Sequence, residues 1–264
     1  MKFNKPVFSL LTIVLILLNH SATANQLEEG KTAFLRHEYQ RAYTLLLPPA
    51  EDGDSFAQTS IGYMLSQGLG VMKNEREAIK WYEKAAVKGD SDAQYNLGSM
   101  YERGRGTKQD YQKAFEWYLR SAEQGNAFAQ ANLGSLYYNG NGVDVDYKKA
   151  AYWYEKSAEQ GYSLAQNFLG FMYYNGLGVK KDLDKGYKWI LKAAEQGLEV
   201  AQENAYAIVY DAAKNDNIGA MHNLAYMCLN GWSGRKDPNS CIEILEIAAE
   251  RGFAPSVSAL AKIY

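Results

Sequence analysis

The feature that most constrains this chain is a segment of thirty-six residues that recurs along most of its length. An Ala-Gln pair opens successive units at Ala57, Ala93, Ala129, Ala165 and Ala201, each thirty-six residues after the last. A fixed period of this size indicates stacked copies of one supersecondary unit. The sequence predicts full repeats at 57–92, 93–128, 129–164, 165–200 and 220–255, a shortened repeat at 201–219, and a terminal capping helix at 256–264.

Residues 1–24 have the features of an export signal. Lys2 and Lys5 precede an apolar run over residues 7–18, and Ala22-Thr23-Ala24 matches a cleavage site. The apolar run is too short for a helix that spans a bilayer, which needs ~20 residues. We therefore expect a mature chain over 25–264 that is exported to the periplasm or secreted and does not insert into a membrane.

Composition argues against two classes of function. The whole chain has 28 Lys and Arg against 30 Asp and Glu, and without Lys2 and Lys5 the basic count falls to 26. Nucleic-acid binding depends on clustered basic residues, so we expect no nucleic-acid partner. His37 and His222 have no His or Cys at helical spacing, and no acyl-transfer motif occurs. We expect no metal, no cofactor and no catalytic residues.

The first part of each repeat is predicted to be a helix with one apolar face. In the third repeat Ala129, Leu133, Leu136 and Tyr137 occupy the first, fifth, eighth and ninth positions, which is helical spacing. The sixth position is a glycine in four repeats, such as Gly134. Glycine inside a helix costs ~1 kcal/mol relative to alanine, so its recurrence predicts a helix crossing too close for a Cβ.

The second part of each repeat is predicted to be another helix. A Gly-x-Gly loop precedes it, and an N-cap residue opens it at Asn74, Asp110, Asp146, Asp182 and Asp237. We expect the recurring tryptophans, Trp117 and Trp153 among them, to be buried between neighbouring helix pairs. Upstream, residues 27–36 predict a short helix, and Pro48-Pro49 are expected to shorten the one that follows it. The predicted fold is all-α.

The repeat resembles a known family. Segment 129–164 carries nearly all of its pattern: Leu133, Gly134, Tyr137, Gly140, Gly142, Val143, Asp146, Lys149, Ala150, Trp153, Tyr154, Lys156, Ala158 and Gly161. These residues resemble the Sel-one-like repeat (SLR) family, a relative of the tetratricopeptide repeat, over roughly residues 39–264. The match departs at 201–219 and in the last full repeat. The resemblance implies a right-handed α/α solenoid superhelix that acts as an adaptor.

The resemblance also implies three functions. The first is a non-catalytic scaffold of the bacterial cell envelope that binds a protein or extended peptide in its concave face. The second is a secreted factor that contacts host proteins. The third is a β-lactamase-like hydrolase, as described for a cysteine-rich branch whose regular cysteine pairs are absent here. Cys228 and Cys241 are the chain's two cysteines, and we expect a disulfide, with two buried thiols as the alternative.

The third, fourth and seventh positions of the first helix should face away from the core. At these positions we predict binding residues of two kinds, polar groups for a peptide backbone and apolar anchors. They are Asn96, Asn132, Ser135, Phe168, Phe171, His222, Asn223 and Tyr226. The alternative for Phe168 and Phe171 is that they pack on the shortened repeat.

Overall fold

A computed structural model describes residues 25–232 and 238–264. The predicted export signal at 1–24 and the predicted N-cap Asp237 lie outside the described residues. Every regular element within the described ranges is helical, which confirms the all-α prediction. Residues 25–35 form α1. The helices that follow are α2 Tyr39–Glu51, α3 Ser55–Gln67, α4 Glu75–Ala86, α5 Ser91–Arg103, α6 Tyr111–Glu123, α7 Ala127–Asn139, α8 Tyr147–Glu159, α9 Ser163–Asn175, α10 Leu183–Glu195, α11 Glu199–Lys214, α12 Ile218–Leu229, α13 Pro238–Glu250 and α14 Ala254–Leu260.

The chain forms two compact units. Unit 1 contains the described residues up to 129 together with 141–144, and unit 2 contains 130–140 and the described residues from 145 onward. In unit 1, helices α2 to α6 pack in sequence order, each against the next. In unit 2, helices α8 to α14 do the same. Packing between sequence neighbours is what a helical repeat requires, because each helix pair buries its apolar face against the next pair.

Side-chain caps start the helices where the sequence predicts them. The Asp146 carboxylate accepts a hydrogen bond from the Lys149 backbone N–H at 3.0 Å, and Asp110 and Asp182 cap α6 and α10 in the same way. Asn74 caps α4 through the Glu77 N–H. Each cap satisfies one N–H that the helix itself leaves unpaired.

The second glycine of each loop has a role beyond positive φ. A Cβ on Gly106, at φ +70°, would lie 2.6 Å from the carbonyl carbon of Glu75 at the start of α4. A Cβ on Gly178, at φ +68°, would approach the carbonyl oxygen of Tyr147 at 2.1 Å. The loop backbone therefore lies directly against the second helix of the preceding repeat, and only glycine fits there.

The glycine at the sixth position lies under a tyrosine ring. A Cβ placed on Gly62, Gly98 or Gly134 would lie 2.9, 2.7 or 3.0 Å from a ring carbon of the tyrosine twenty residues later. Those tyrosines are Tyr82, Tyr118 and Tyr154, and they are among the largest fully buried side chains of the protein. The predicted close crossing is confirmed, and a buried aromatic ring fills the space that each glycine leaves open.

In the fourth and the last full repeats, a smaller aliphatic residue stands at the tyrosine position. A Cβ on Gly170 would lie 2.6 Å from Ile190 and 2.7 Å from the carbonyl oxygen of Gly186, so two helix backbones approach each other there. In the last full repeat the equivalent residues are Ala225 and Leu245, both buried. The alanine Cβ thus occurs where the tyrosine ring is absent.

The expectation that tryptophans form the buried core was wrong for most repeats. Trp81 is buried, but Trp117, Trp153 and Trp189 are only half-buried. Two of these rings carry a cation from the next helical turn. The Arg120 guanidinium lies 4.6 Å from the Trp117 ring and the Lys192 ammonium 4.4 Å from the Trp189 ring. Tyr118 follows Trp117 by one residue and is fully buried.

Two expectations about helix ends also need correction. Pro48 and Pro49 do not shorten α2, which has the same thirteen residues as most other helices. They lie in its last turn, where their carbonyls accept from the N–H groups of Asp52 and Asp54 at 2.9 Å. The terminal helix does not run over 256–264. It begins at Ala254, two residues earlier, and ends at Leu260.

A single helix, α11, fills the region where the shortened repeat is predicted. Its buried residues Ala201, Ala205 and Val209 join the core of unit 2. Further along, Cys228 and Cys241 are joined by a disulfide with a Cα–Cα distance of 5.7 Å. The bridge links α12 to α13.

Recurring glutamines connect successive repeats. The Gln94 side-chain N–H donates to the Ala86 carbonyl at 3.0 Å, while its Oε1 accepts from Gln124 at 2.7 Å. Gln166 makes the equivalent bonds with Ala158 and Gln196. These buried amides are therefore paired at both ends, as a buried polar group must be to avoid a net cost.

Gln58 is the exception among these glutamines. Its side-chain N–H donates to Ala50, but its buried Oε1 has no partner among the described residues. The residue thirty positions later, where other repeats have the donating glutamine, is Lys88. The Lys88 ammonium donates to the Gly53 carbonyl instead.

Tyr118 is fully buried and Trp117 is half-buried, and this difference predicts how much each contributes to the free energy of unfolding. Tyr118→Ala should destabilise the protein by ~3–5 kcal/mol, the range for a fully buried aromatic. Trp117→Ala should cost roughly half as much, since it removes less area from water. Denaturant unfolding of both variants, with hydrogen exchange at α5 and α6, measures the difference. A larger cost for Trp117→Ala would contradict this assignment of the core.

The unpaired Gln58 predicts a stabilising substitution. In Lys88→Gln, the new amide should donate to Gln58 Oε1 as Gln124 donates to Gln94, and raise stability by ~1 kcal/mol. The reciprocal variant Gln124→Lys is the matched control and should lose ~1–3 kcal/mol by leaving Gln94 Oε1 buried and unpaired. Thermal unfolding of the pair checks this, and a Lys88→Gln protein less stable than the parent would show the prediction to be wrong.

Candidate functional site

The first helix of each repeat has one face that its own core does not use. Packing takes up the first, fifth, sixth, eighth and ninth positions. The prediction that the third, fourth and seventh positions all leave the core is wrong at Ala131 and Asn167 in the third position and at Ser60 in the fourth, which are buried.

The seventh-position residues Tyr63, Phe171 and Tyr226 are 37%, 40% and 58% exposed. These large apolar groups reach solvent on a defined face, and each unit has a cavity lined from that face.

The cavity of unit 1 has a volume of about 450 Å³ and is lined by aromatic rings. Six contribute: Phe34 from α1, Tyr39 from α2, Phe56 and Tyr63 from α3, Tyr95 from α5, and Phe128 from α7. Phe34 meets Phe56 and Tyr63 edge to face, with centroids 6.2 and 6.0 Å apart. Tyr95 lies 5.7 Å from Phe128. Packed against each other in this way, the rings form a preformed apolar wall.

The polar lining of this cavity includes His37 and Ser60 and two acidic residues, Asp90 and Asp92. Asp90 caps α5 through the Ala93 N–H at 2.8 Å, and Asp92 accepts from the Asn126 amide at 3.0 Å. Partial burial, and then the charge of Asp90, raise the pKa of Asp92 above its ordinary value. Thr59 also lines the cavity, and its buried hydroxyl has no hydrogen-bond partner within the described residues.

Unit 2 has a smaller cavity of about 320 Å³. Its apolar lining comes from Phe171 and Tyr174 of α9, Ile190 of α10 and Ile208 of α11, and Asp211 is its acidic residue. It lies where the shortened repeat places one helix instead of two.

Two predicted binding residues line these cavities, Asn96 in unit 1 and Phe171 in unit 2. Phe168 is 39% exposed and stacks on Tyr154 with ring centroids 5.2 Å apart. Neither Phe168 nor Phe171 belongs to the buried core, although each is packed on one side.

The other predicted residues differ in exposure. Asn132 and Ser135 are half-buried, and the Ser135 hydroxyl accepts from Asn139 at 3.2 Å. His222 is half-buried, with Nδ1 2.9 Å from the buried Ser256 hydroxyl and its ring against Phe253. The structure thus places His222 against the terminal helix.

Asn223 and Tyr226 lie on the exposed side of α12. The sequence analysis did not predict Phe56 and Phe128, which directly precede the Ala-Gln pairs that begin at Ala57 and Ala129. A recurring apolar residue at an exposed helical position was the signal that could have revealed them.

The described residues contain no group of three or more His, Cys, Asp or Glu arranged to hold a metal ion. Within the same residues, no helix has the length and apolar character needed to cross a bilayer. Burial raises the pKa of Tyr82 to about 12, but this ring belongs to the core rather than to either cavity.

The repeats match a family model. The Sel1 repeat model covers residues 55–90, 91–126, 127–162, 163–198 and 218–253, more than half of the chain. The chain belongs to the Sel1 repeat family. Each matched segment begins two residues before the alanine that opens the repeat. Sel1 repeat proteins commonly act as protein-interaction scaffolds and are generally non-catalytic.

Solved structures show the same SLR solenoid fold. The chain is similar to c5321 of uropathogenic Escherichia coli, with 33% identity and a TM-score of 0.70 over 95% of this chain and 58% of that one. It is also similar to a Sel1 repeat protein from Oxalobacter formigenes, with 34% identity and a TM-score of 0.68 over 84% of this chain and 96% of that one. The chain therefore spans less than two thirds of the Escherichia coli protein. No curated protein matches the sequence significantly.

Exposure predicts that the apolar residues of this face contribute little to stability. Phe171→Ala should cost about 1 kcal/mol or less, because the ring is 40% exposed. Leu169→Ala, two residues away in the core, is the control and should cost ~2–5 kcal/mol. Denaturant titrations of the two variants measure both values. Unfolding of Phe171→Ala at room temperature would place that ring in the core.

Proposed function

We propose that this Sel1 repeat protein is a non-catalytic scaffold that binds a protein or an extended peptide. The binding face is made by the third, fourth and seventh positions of the first helices, which the sequence predicts to be concave. The observation that carries the proposal is the pair of cavities, one in each unit, lined by apolar residues from this face.

Several features of the surface support this function. Interfaces concentrate their energy in a few aromatic anchors that stand beside polar groups. Phe171 and Tyr226 are large and exposed, and both lie on helices rather than on loops. Asn96, Asn132 and Asn223 recur at the fourth position, where amides can hydrogen-bond the backbone of an extended chain.

An exported location fits this role. The similar Escherichia coli structure is described as a protective antigen of uropathogenic strains, and an antigen must be reached by the host immune system. Residues 1–24 of this chain carry the pattern of an export signal. We therefore place the scaffold in the cell envelope, and a secreted protein with the same binding face is the alternative that cell fractionation distinguishes.

The proposal is tested by capture followed by titration. The mature chain is used to isolate partners from the native envelope, and the captured protein is then titrated with Phe171→Ala, Asn132→Ala and Glu116→Ala, each checked for folding. Loss of one anchor should weaken binding more than tenfold, which corresponds to ~2 kcal/mol. Glu116 is exposed on α6, outside the proposed face, and Glu116→Ala should bind like the parent.

The opposite pattern would contradict the proposal. If Glu116→Ala abolishes binding while Phe171→Ala and Asn132→Ala bind normally, the partner uses the second helices. If the purified protein hydrolyses a β-lactam and one side-chain substitution removes that activity, the chain is an enzyme rather than a scaffold.

A further inference from the structure

The residues that line the aromatic cavity of unit 1 favour a positively charged occupant. Six aromatic rings form its walls together with His37, and its two carboxylates are Asp90 and Asp92. Neither carboxylate is paired with a lysine or arginine within 4.0 Å in the described part of the chain. Aromatic rings beside two carboxylates that no lysine or arginine of the described chain pairs are suited to receive a cation from outside.

We propose that this cavity binds a lysine or arginine side chain of an extended peptide segment. The inference rests on the scaffold function and names the chemistry that unit 1 recognises. The aliphatic stem of the basic side chain would lie along Phe56 and Phe128, and its charged group would reach Asp90 and Asp92.

Charge complementarity favours this occupant over an apolar one. The two carboxylates repel each other, and the pKa of Asp92 is raised first by its partial burial and then by the charge of Asp90. A cation placed beside them relieves this repulsion and adds a charge-assisted hydrogen bond. An aliphatic side chain would instead remove water from both carboxylates without compensation, which is unfavourable.

The aromatic rings favour a cation as well. The negative face of an aromatic ring attracts a cation within ≈6 Å of its centroid. Phe56 already has the Lys31 ammonium 5.5 Å from its centroid, and that ammonium is paired with Glu28 at 2.8 Å. The cavity volume of about 450 Å³ lies within the ~300–1,000 Å³ range of ligand pockets, so it admits the basic side chain and part of its neighbours.

The peptide backbone would also find partners in this cavity. Asn96 lines it and presents an amide at the fourth position of α5. A side-chain amide can pair with both the N–H and C=O groups of an extended chain. The site therefore offers contacts for both the side chain and the backbone of one segment.

The test uses variants that change charge without changing the helix caps. Asn126 and Asn217 cap α7 and α12 at the position that Asp90 occupies before α5, so Asp90→Asn keeps a competent N-cap. The double variant Asp90→Asn with Asp92→Asn therefore removes two charges from a folded protein. Asp211→Asn makes the same change in the cavity of unit 2 and is the matched control.

The probe is a phage-displayed library of random heptapeptides selected on the immobilised mature chain. Enriched peptides are synthesised with a fluorescent label and titrated by anisotropy, together with versions in which citrulline replaces arginine or norleucine replaces lysine. We expect enrichment of a basic residue flanked by apolar ones. The affinity should fall about tenfold or more for the uncharged peptides, for the double variant and for Phe128→Ala, but not for Asp211→Asn.

Ionic strength supplies a second readout. Affinity for the parent should weaken as salt rises, and this dependence should be much smaller in the double variant. Three results would overturn the inference: no enriched peptide, enriched peptides without a basic residue, or binding that the double variant leaves unchanged. In the last two cases the scaffold function stands if Phe171→Ala removes binding. If every face variant binds normally, the scaffold proposal fails as well.

Discussion

The contact on which the rest of the structure depends is a tyrosine ring lying on a glycine backbone inside the helix pair of each of the first three full repeats. Tyr118 packs so closely over Gly98 that a single added methyl group would lie 2.7 Å from its ring. Protein interiors are dense and deform little, so this contact fixes the distance between the two helices. The repeated Gly–Tyr contact in the first three full repeats gives each pair the same geometry.

That geometry decides which side chains remain available for binding. A first helix held by its sixth position against a tyrosine must direct its seventh position away from the core. Tyr63 follows Gly62, is exposed for this reason, and lines the cavity of unit 1. Phe171 follows Gly170, which packs against Ile190 rather than a tyrosine, and it lines the cavity of unit 2. Where Leu245 replaces the tyrosine, the opposing residue is Ala225, whereas opposite Ile190 it is still Gly170.

Much of the fold could be predicted from one repeat. Helical spacing, N-cap residues and recurring glycines are local signals, and the structure has them where expected. The extent to which each tryptophan is buried could not be predicted from such local signals. Trp117 and Tyr118 are adjacent aromatic residues with similar recurrence, and only tertiary packing distinguishes the half-buried ring from the buried one. Pro48 and Pro49 misled because proline usually ends a helix, whereas α2 continues through both residues to Glu51.

The candidate site could be predicted less completely, for a physical reason. The face was found from the positions that the core leaves unused, and Asn96 and Phe171 do line cavities on it. The aromatic cavity of unit 1 also needs Phe34, which comes from α1, outside the repeat pattern. Its acidic character depends on Asp90, which sequence alone presents as an ordinary helix cap.

A double-mutant cycle on Gly98 and Tyr118 tests the central claim most directly. Gly98→Ala alone should destabilise by ~1–3 kcal/mol, because overpacking against the ring outweighs the ~1 kcal/mol gain in helix propensity. In a Tyr118→Leu background, which copies the pairing of Ala225 with Leu245, Gly98→Ala should be neutral or stabilising. The coupling between the two sites, measured by denaturant unfolding, should then be ~0.5–3 kcal/mol. Stabilisation by Gly98→Ala in both backgrounds would contradict the account.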